Sequence, residues 1–179
     1  MRSLSSLALL GVLSVSLHGS TLRQLSLDDM IRQSTTIVRG KAQQTSTSFH
    51  GSMIFTHYSV QVTETLKGPA VSQVDIGVPG GGVGGVDQRF AGAPTLSSTQ
   101  DYVLFLWTSK SGLTQVIGLS QGMFAVITNA AKQPVIVRAA ATERMLDASG
   151  QPVTDSDIQM LLSDLRSRIQ IVLSGRGGK

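Results

Sequence analysis

Alternation of apolar and polar residues dominates the middle of the chain. Between Phe55 and Leu66, Tyr58, Val60 and Val62 stand against Ser59, Gln61 and Thr63. That two-residue period, with β-branched and aromatic content, predicts a half-buried strand. Lys67-Gly68-Pro69 ends it, because proline cannot donate to a ladder. Val74, Ile76 and Val78 alternate with Asp75 and Gly77 and predict another strand. The run Tyr102-Val103-Leu104-Phe105-Leu106-Trp107 is apolar throughout, as in a central strand covered on both faces, so Phe105 and Trp107 are both expected in or near the core. Shorter strands are predicted at Thr35–Ala42, Leu113–Leu119, Met123–Thr128 and Val135–Val137, with turns at Phe49–Ser52 and Ser109–Gly112.

Helical spacing occurs at the two ends of this β-rich stretch. Ser26 and Asp29 form a capping-box pattern ahead of Met30 and Ile31, and Asp28 and Asp29 suit the positive end of the helix dipole. Thr154 to Asp157 repeats the capping pattern. Ile158, Leu161, Leu162, Leu165, Ile169, Val172 and Leu173 then keep one helical face until Gly175, which predicts a C-terminal helix over 154–174 packed on the domain. Short strands separated by frequent turns favour a mainly β fold. The expectation is a small OB-like barrel or sandwich of about six to seven strands, with a short N-terminal helix and a longer C-terminal one. The barrel-like domain is expected over 21–138, a linker over 139–153 and a loose tail over 175–179.

Ahead of this domain, Met1-Arg2-Ser3 precedes a short apolar stretch within Leu4–Leu17, then His18-Gly19-Ser20. A positive start, an apolar middle too short to span a bilayer and small residues at its end predict a signal peptide over 1–20. The mature protein is expected to be secreted or periplasmic, without a stable membrane span.

The chain has 179 residues, 41% hydrophobic and 15% charged, enough for one domain with a core of ordinary size. It contains no cysteine, which excludes disulfides, thiolate metal sites, cysteine nucleophiles and lipid attachment after the leader. The net charge is +4, and removal of Arg2 with the leader leaves +3. The basic residues are scattered and form no stripe that would track phosphates, so no nucleic-acid partner is expected.

Motifs that carry chemistry are present only as letters. Gly80, Gly82 and Gly85 spell G-x-G-x-x-G, but Gly92 and Pro94 follow too soon for the helix that would take a pyrophosphate. Gly118-Leu119-Ser120-Gln121-Gly122 spells G-x-S-x-G, but Met123–Ile127 reads as a strand where a nucleophile elbow needs a helix. His50 and His57 precede that serine and lack a third ligand for zinc. Glu64 and Glu143, the two glutamates, are far apart in sequence and lack sugar-stacking aromatics nearby. No catalytic residue, cofactor or metal is therefore assigned. Gly80, Gly81, Gly82, Gly84 and Gly85 form the candidate ligand or partner loop. Glycine at five of six positions implies positive φ, mobility, or close approach of another group to the backbone.

The segments Thr35–Lys41, Tyr58–Pro69, Val78–Gly85, Gly92-Ala93-Pro94, Tyr102–Leu106 and Val116–Phe124 occur in an order that resembles a group of exported bacterial proteins of unassigned chemistry. That group is also found beside matrixin-like metalloproteases. More distantly, Val38–Lys41, Leu66-Lys67-Gly68 and Tyr102–Leu106 are similar to netrin and metalloprotease-inhibitor modules, which implies an OB-like barrel. Inhibition does not carry across, because those inhibitors use an N-terminal cysteine on the protease zinc. The expected function is a non-catalytic binding or interaction module of unknown ligand, whose partner would itself be exported. The alternatives are a small secreted hydrolase, or an accessory or inhibitor of an envelope protease.

Overall fold

The computed structural model describes residues 21–175. The leader expected over 1–20, and the expected tail past Gly175, lie outside these residues. The chain begins with β1 (Thr21–Arg23) and α1 (Leu27–Gln33). The expected capping box forms at α1: the Asp29 N–H donates to Ser26 Oγ at 3.1 Å, and the Ser26 N–H donates to Asp29 Oδ2 at 3.3 Å. A long hairpin follows, β2 (Thr36–His50) and β3 (Met53–Lys67), then β4 (Gln73–Pro79). The polar run after Ala42 continues β2 to its tip, because each residue from Gln44 to His50 finds a partner on β3.

The glycine segment is an ordered hairpin of β5 (Gly81–Val83) and β6 (Val86–Gln88). Val83 pairs with Val86 across Gly84 and Gly85, whose φ values are 58° and 83°. Two positive φ angles in a two-residue loop are the type I′ geometry that matches strand twist. No neighbour lies within 4 Å of a Cβ built on either glycine, so the cost of alanine here is conformational alone. Gly85→Ala is expected to lower stability by about 1 kcal/mol, read from urea unfolding. An unchanged midpoint would show that the turn is not held in this geometry.

The chain returns through β7 (Asp101–Thr108), β8 (Thr114–Val116), β9 (Met123–Thr128) and β10 (Pro134–Arg138). It ends with β11 (Arg144–Leu146), β12 (Pro152–Val153), β13 (Ile158–Leu161) and α2 (Leu162–Leu173). The fold is mainly β. Its principal sheet has the order β13-β10-β9-β7-β2-β3-β4, with β8 paired to the far end of β7. Consecutive β2, β3 and β4, with β7 returning beside β2, make a Greek key.

Alternation along the central strands divides the core between two faces. Ile37, Val103 and Phe105 join Met30, Ile31, Leu162, Leu165 and Ile169 under the two helices. Val38, Tyr102, Leu104 and Leu106 point the other way and pack with Val60, Ile76, Val78 and Val116. Side chains of β4 thus meet those of β7 and β8, so the sheet curls. The Arg166 guanidinium pins α2 to β3 by paired bonds to Glu64 at 2.7 and 2.8 Å, and that contact holds the Glu64 carboxyl below its ordinary pKa.

Four expectations are corrected. The described residues form no closed barrel, because the terminal strands of the sheet, β13 and β4, do not pair with each other. The segment expected as a linker over 139–153 carries β11, which pairs with β1, and β12, which pairs with β11. The helix expected from Thr154 starts at Leu162. Its would-be capping acids are used elsewhere, Asp155 accepting from the Ala141 N–H and Arg138, and Asp157 from the Ala140 N–H. This frees Ile158–Leu161 to pair with β10. Trp107, expected in the core, is 45% exposed whereas Phe105 is fully buried.

Candidate functional site

Trp107 lies one strand period past Phe105, where β7 runs beyond the helical cover. It lines an apolar groove of about 690 Å³ with Leu22, Leu25, Val116, Ile117 and Leu119. Its volume lies within the range of small-molecule sites, and it is a shallow, open groove rather than an enclosed cavity.

The groove is held rigidly from beneath. Gln121, 1% exposed, accepts the Leu25 N–H at 2.9 Å and donates to the Arg23 carbonyl at 3.0 Å. The Gln24 N–H donates to the Leu146 carbonyl at 2.8 Å. These bonds tie the β1 wall to the 3-10 turn carrying Gln121 and to β11.

The floor turn is conformationally strained. Gly118 and Leu119 have φ values of 62° and 57°. Glycine takes this left-handed region freely, whereas leucine is disfavoured there by about 1–2 kcal/mol. Strain of this kind persists where the surroundings enforce it and clusters at functional sites. Here it accompanies placement of the Leu119 side chain in the groove wall. The letters G-x-S-x-G thus form a 3-10 turn between β8 and β9 rather than a nucleophile elbow.

The remaining sequence candidates fall elsewhere. Ser120 lines a separate hollow with Arg138 and Glu143, while His50 and His57 line another with Asp75 and Leu113. The structure does not bring Ser120 and a histidine into one pocket. It does bring together a set that sequence reasoning missed. Ser48 Oγ lies 3.2 Å from His57 Nε2, and His57 Nδ1 lies 3.0 Å from Asp75 Oδ2.

That order of bonds matches an acyl-transfer triad, but the environment does not. The Asp75 side chain is 62% exposed, so water competes for the carboxylate that would have to stabilise an imidazolium. The three residues stand on neighbouring strands β2, β3 and β4 as a cross-strand polar row. Among the described residues no group of three His, Cys, Asp or Glu could hold a metal ion.

The glycine hairpin lies against the β2–β3 arm. Thr47 Oγ1 donates to the Gly82 carbonyl at 2.7 Å and Thr56 Oγ1 to the Gly80 carbonyl at 2.8 Å. A Cβ on Gly81, at φ 136°, would stand 2.7 Å from Thr56 Oγ1. Close approach to its own arm and the type I′ turn account for Gly81, Gly84 and Gly85. No helix among the described residues is long and apolar enough to cross a membrane. Searches against family models, curated proteins and solved structures find no match to this chain.

Proposed function

We propose that this chain is an exported, non-catalytic binding module that takes the apolar part of a small ligand in the groove beside Trp107. The observation that carries this reading is Leu119: a leucine held in the left-handed region, lining a preformed apolar groove opposite a half-exposed tryptophan. Stability alone would favour glycine or asparagine at that backbone position. The finer reading of the domain is an OB-like barrel that has opened, supported by the Greek key and the curl that brings β4 against β8. Export rests on the leader pattern.

Trp107 is the single tryptophan of the chain, so its fluorescence reports on the groove directly. Titration with the neutral dye N-phenyl-1-naphthylamine is expected to saturate, with energy transfer from Trp107. Leu119→Asn relieves the strained φ and removes the apolar wall. Dye binding is expected to fall at least tenfold, while stability stays within about 1 kcal/mol of the parent. Non-saturable binding, or unchanged binding in Leu119→Asn, would remove the groove as the functional surface.

A further inference from the structure

The groove has one charged lining residue, Arg23, and among the described residues that side chain has no partner. Arg32, Arg39, Arg138, Arg166 and Arg168 are each held by a carboxylate, whereas among the described residues Arg23, Arg89 and Arg144 form no ion pair, and of these three Arg23 lines the groove. Among the described residues, the Arg23 guanidinium has neither an ion pair nor a hydrogen bond. It is exposed on β1 at the rim of the groove, and no aspartate or glutamate lines the site. The other polar lining side chains, Gln33, Gln115 and Gln121, are neutral.

Gln33 also ends α1, whose free carbonyls would otherwise present negative charge toward a ligand. Lys67 cancels that contribution. Its Nζ donates to the carbonyls of Ile31 at 2.7 Å and Arg32 at 3.1 Å, and to that of Ser34. The only charged side chain lining the groove among the described residues is therefore cationic, while its walls are largely apolar.

Resting on the binding-module reading above, we infer that the ligand is an amphipathic anion. Its short acyl or aryl body would lie along Trp107, Leu119 and Ile117, and its carboxylate or sulfonate head would meet Arg23. A planar guanidinium suits such a head because it offers paired donors in a fixed fork. The Gln121 bridge holds the Arg23 carbonyl and therefore the backbone from which that fork projects.

The test uses three ligands of equal chain length, octanoate, octan-1-ol and octylammonium, titrated below micellar concentrations with Trp107 emission as the signal. Octanoate is expected to bind more tightly than octylammonium. In Arg23→Gln, octanoate affinity is expected to fall about two- to fivefold, within the range for a solvent-exposed ion pair. Octan-1-ol affinity should not change, and added salt should weaken octanoate alone. If octan-1-ol binds but Arg23→Gln leaves octanoate affinity unchanged, or the cation binds as tightly as the anion, anion selectivity is overturned and the groove reading stands. If none of the three binds, the groove reading fails with it.

Discussion

Phe105→Ala is expected to destabilise the protein by about 3–5 kcal/mol, the range for removing a large aromatic from a close-packed core. Phe105 is fully buried at the centre of β7 and meets Phe124 with ring centroids 5.5 Å apart. It belongs to the cluster formed with Met30, Ile31, Leu162 and Leu165, so truncation would loosen the sheet from both helices at once. Backbone pairing of Phe105 with Ile37 limits how far the surroundings can collapse into the vacated space. Chemical denaturation measures the loss. A change below about 1 kcal/mol would mean that the helices do not rest on this strand.

Asp155→Ala is expected to cost a similar amount, about 3–5 kcal/mol, for a different reason: it strands a buried cation. The Arg138 and Asp155 side chains are 7% and 4% exposed, with Arg138 Nη2 at 2.9 and 3.0 Å from the two carboxylate oxygens. Arg138 Nε lacks a partner, and without Asp155 the guanidinium would keep only its bonds to the Gln121 and Ser156 carbonyls. Burial alone would raise the Asp155 carboxyl. The Ala141 N–H and the Arg138 charge outweigh it and hold the pKa below its ordinary value. A depressed folded-state pKa contributes stability that is complete above the unfolded value, near 4, and is lost as pH falls through the folded value. The parent should therefore lose stability on acidification below about pH 4, and Asp155→Ala should show a shallower loss there. Parallel acid-unfolding curves for the two proteins would contradict the assignment.

Local rules were readable where local chemistry decides the outcome. The Ser26–Asp29 box, the alternation in Val74–Val78 and the apolar run Tyr102–Leu106 each specify their element without outside help. Tertiary pairing decided the rest. Gln44 to Ser48 has no apolar pattern, yet it is a strand because β3 lies beside it. Ile158–Leu161 carries a helical period that continues into α2, but Arg138 and the Ala140 and Ala141 amides draw Asp155 and Asp157 away from capping. Trp107 continues an apolar run. Its exposure depends on where α1 ends, which no residue of β7 encodes.

The groove itself was hidden for the same reason. Its walls come from β1, the segment before α1, and the β7–β9 region, which are far apart in sequence and joined by the Gln121 side chain. A signal was present in Gly118-Leu119-Ser120-Gln121-Gly122. Two strands so closely spaced require a turn, and a turn flanked by glycines admits a left-handed residue. The Ser48, His57 and Asp75 row had no signal beyond strand register, which a single sequence leaves open. The Gly80–Gly85 cluster was conspicuous, and its geometry follows from a two-residue turn and contact with Thr47 and Thr56.

The central claim, that ligand enters beside Trp107, is tested most directly by amide and indole NMR during titration with octanoate. The account predicts saturable shifts of the Trp107 indole N–H and of the Leu22–Leu25 and Val116–Leu119 amides, with the Gly80–Gly85 amides still. Saturable shifts centred on Gly80–Gly85 with an unmoved Trp107 indole would contradict it.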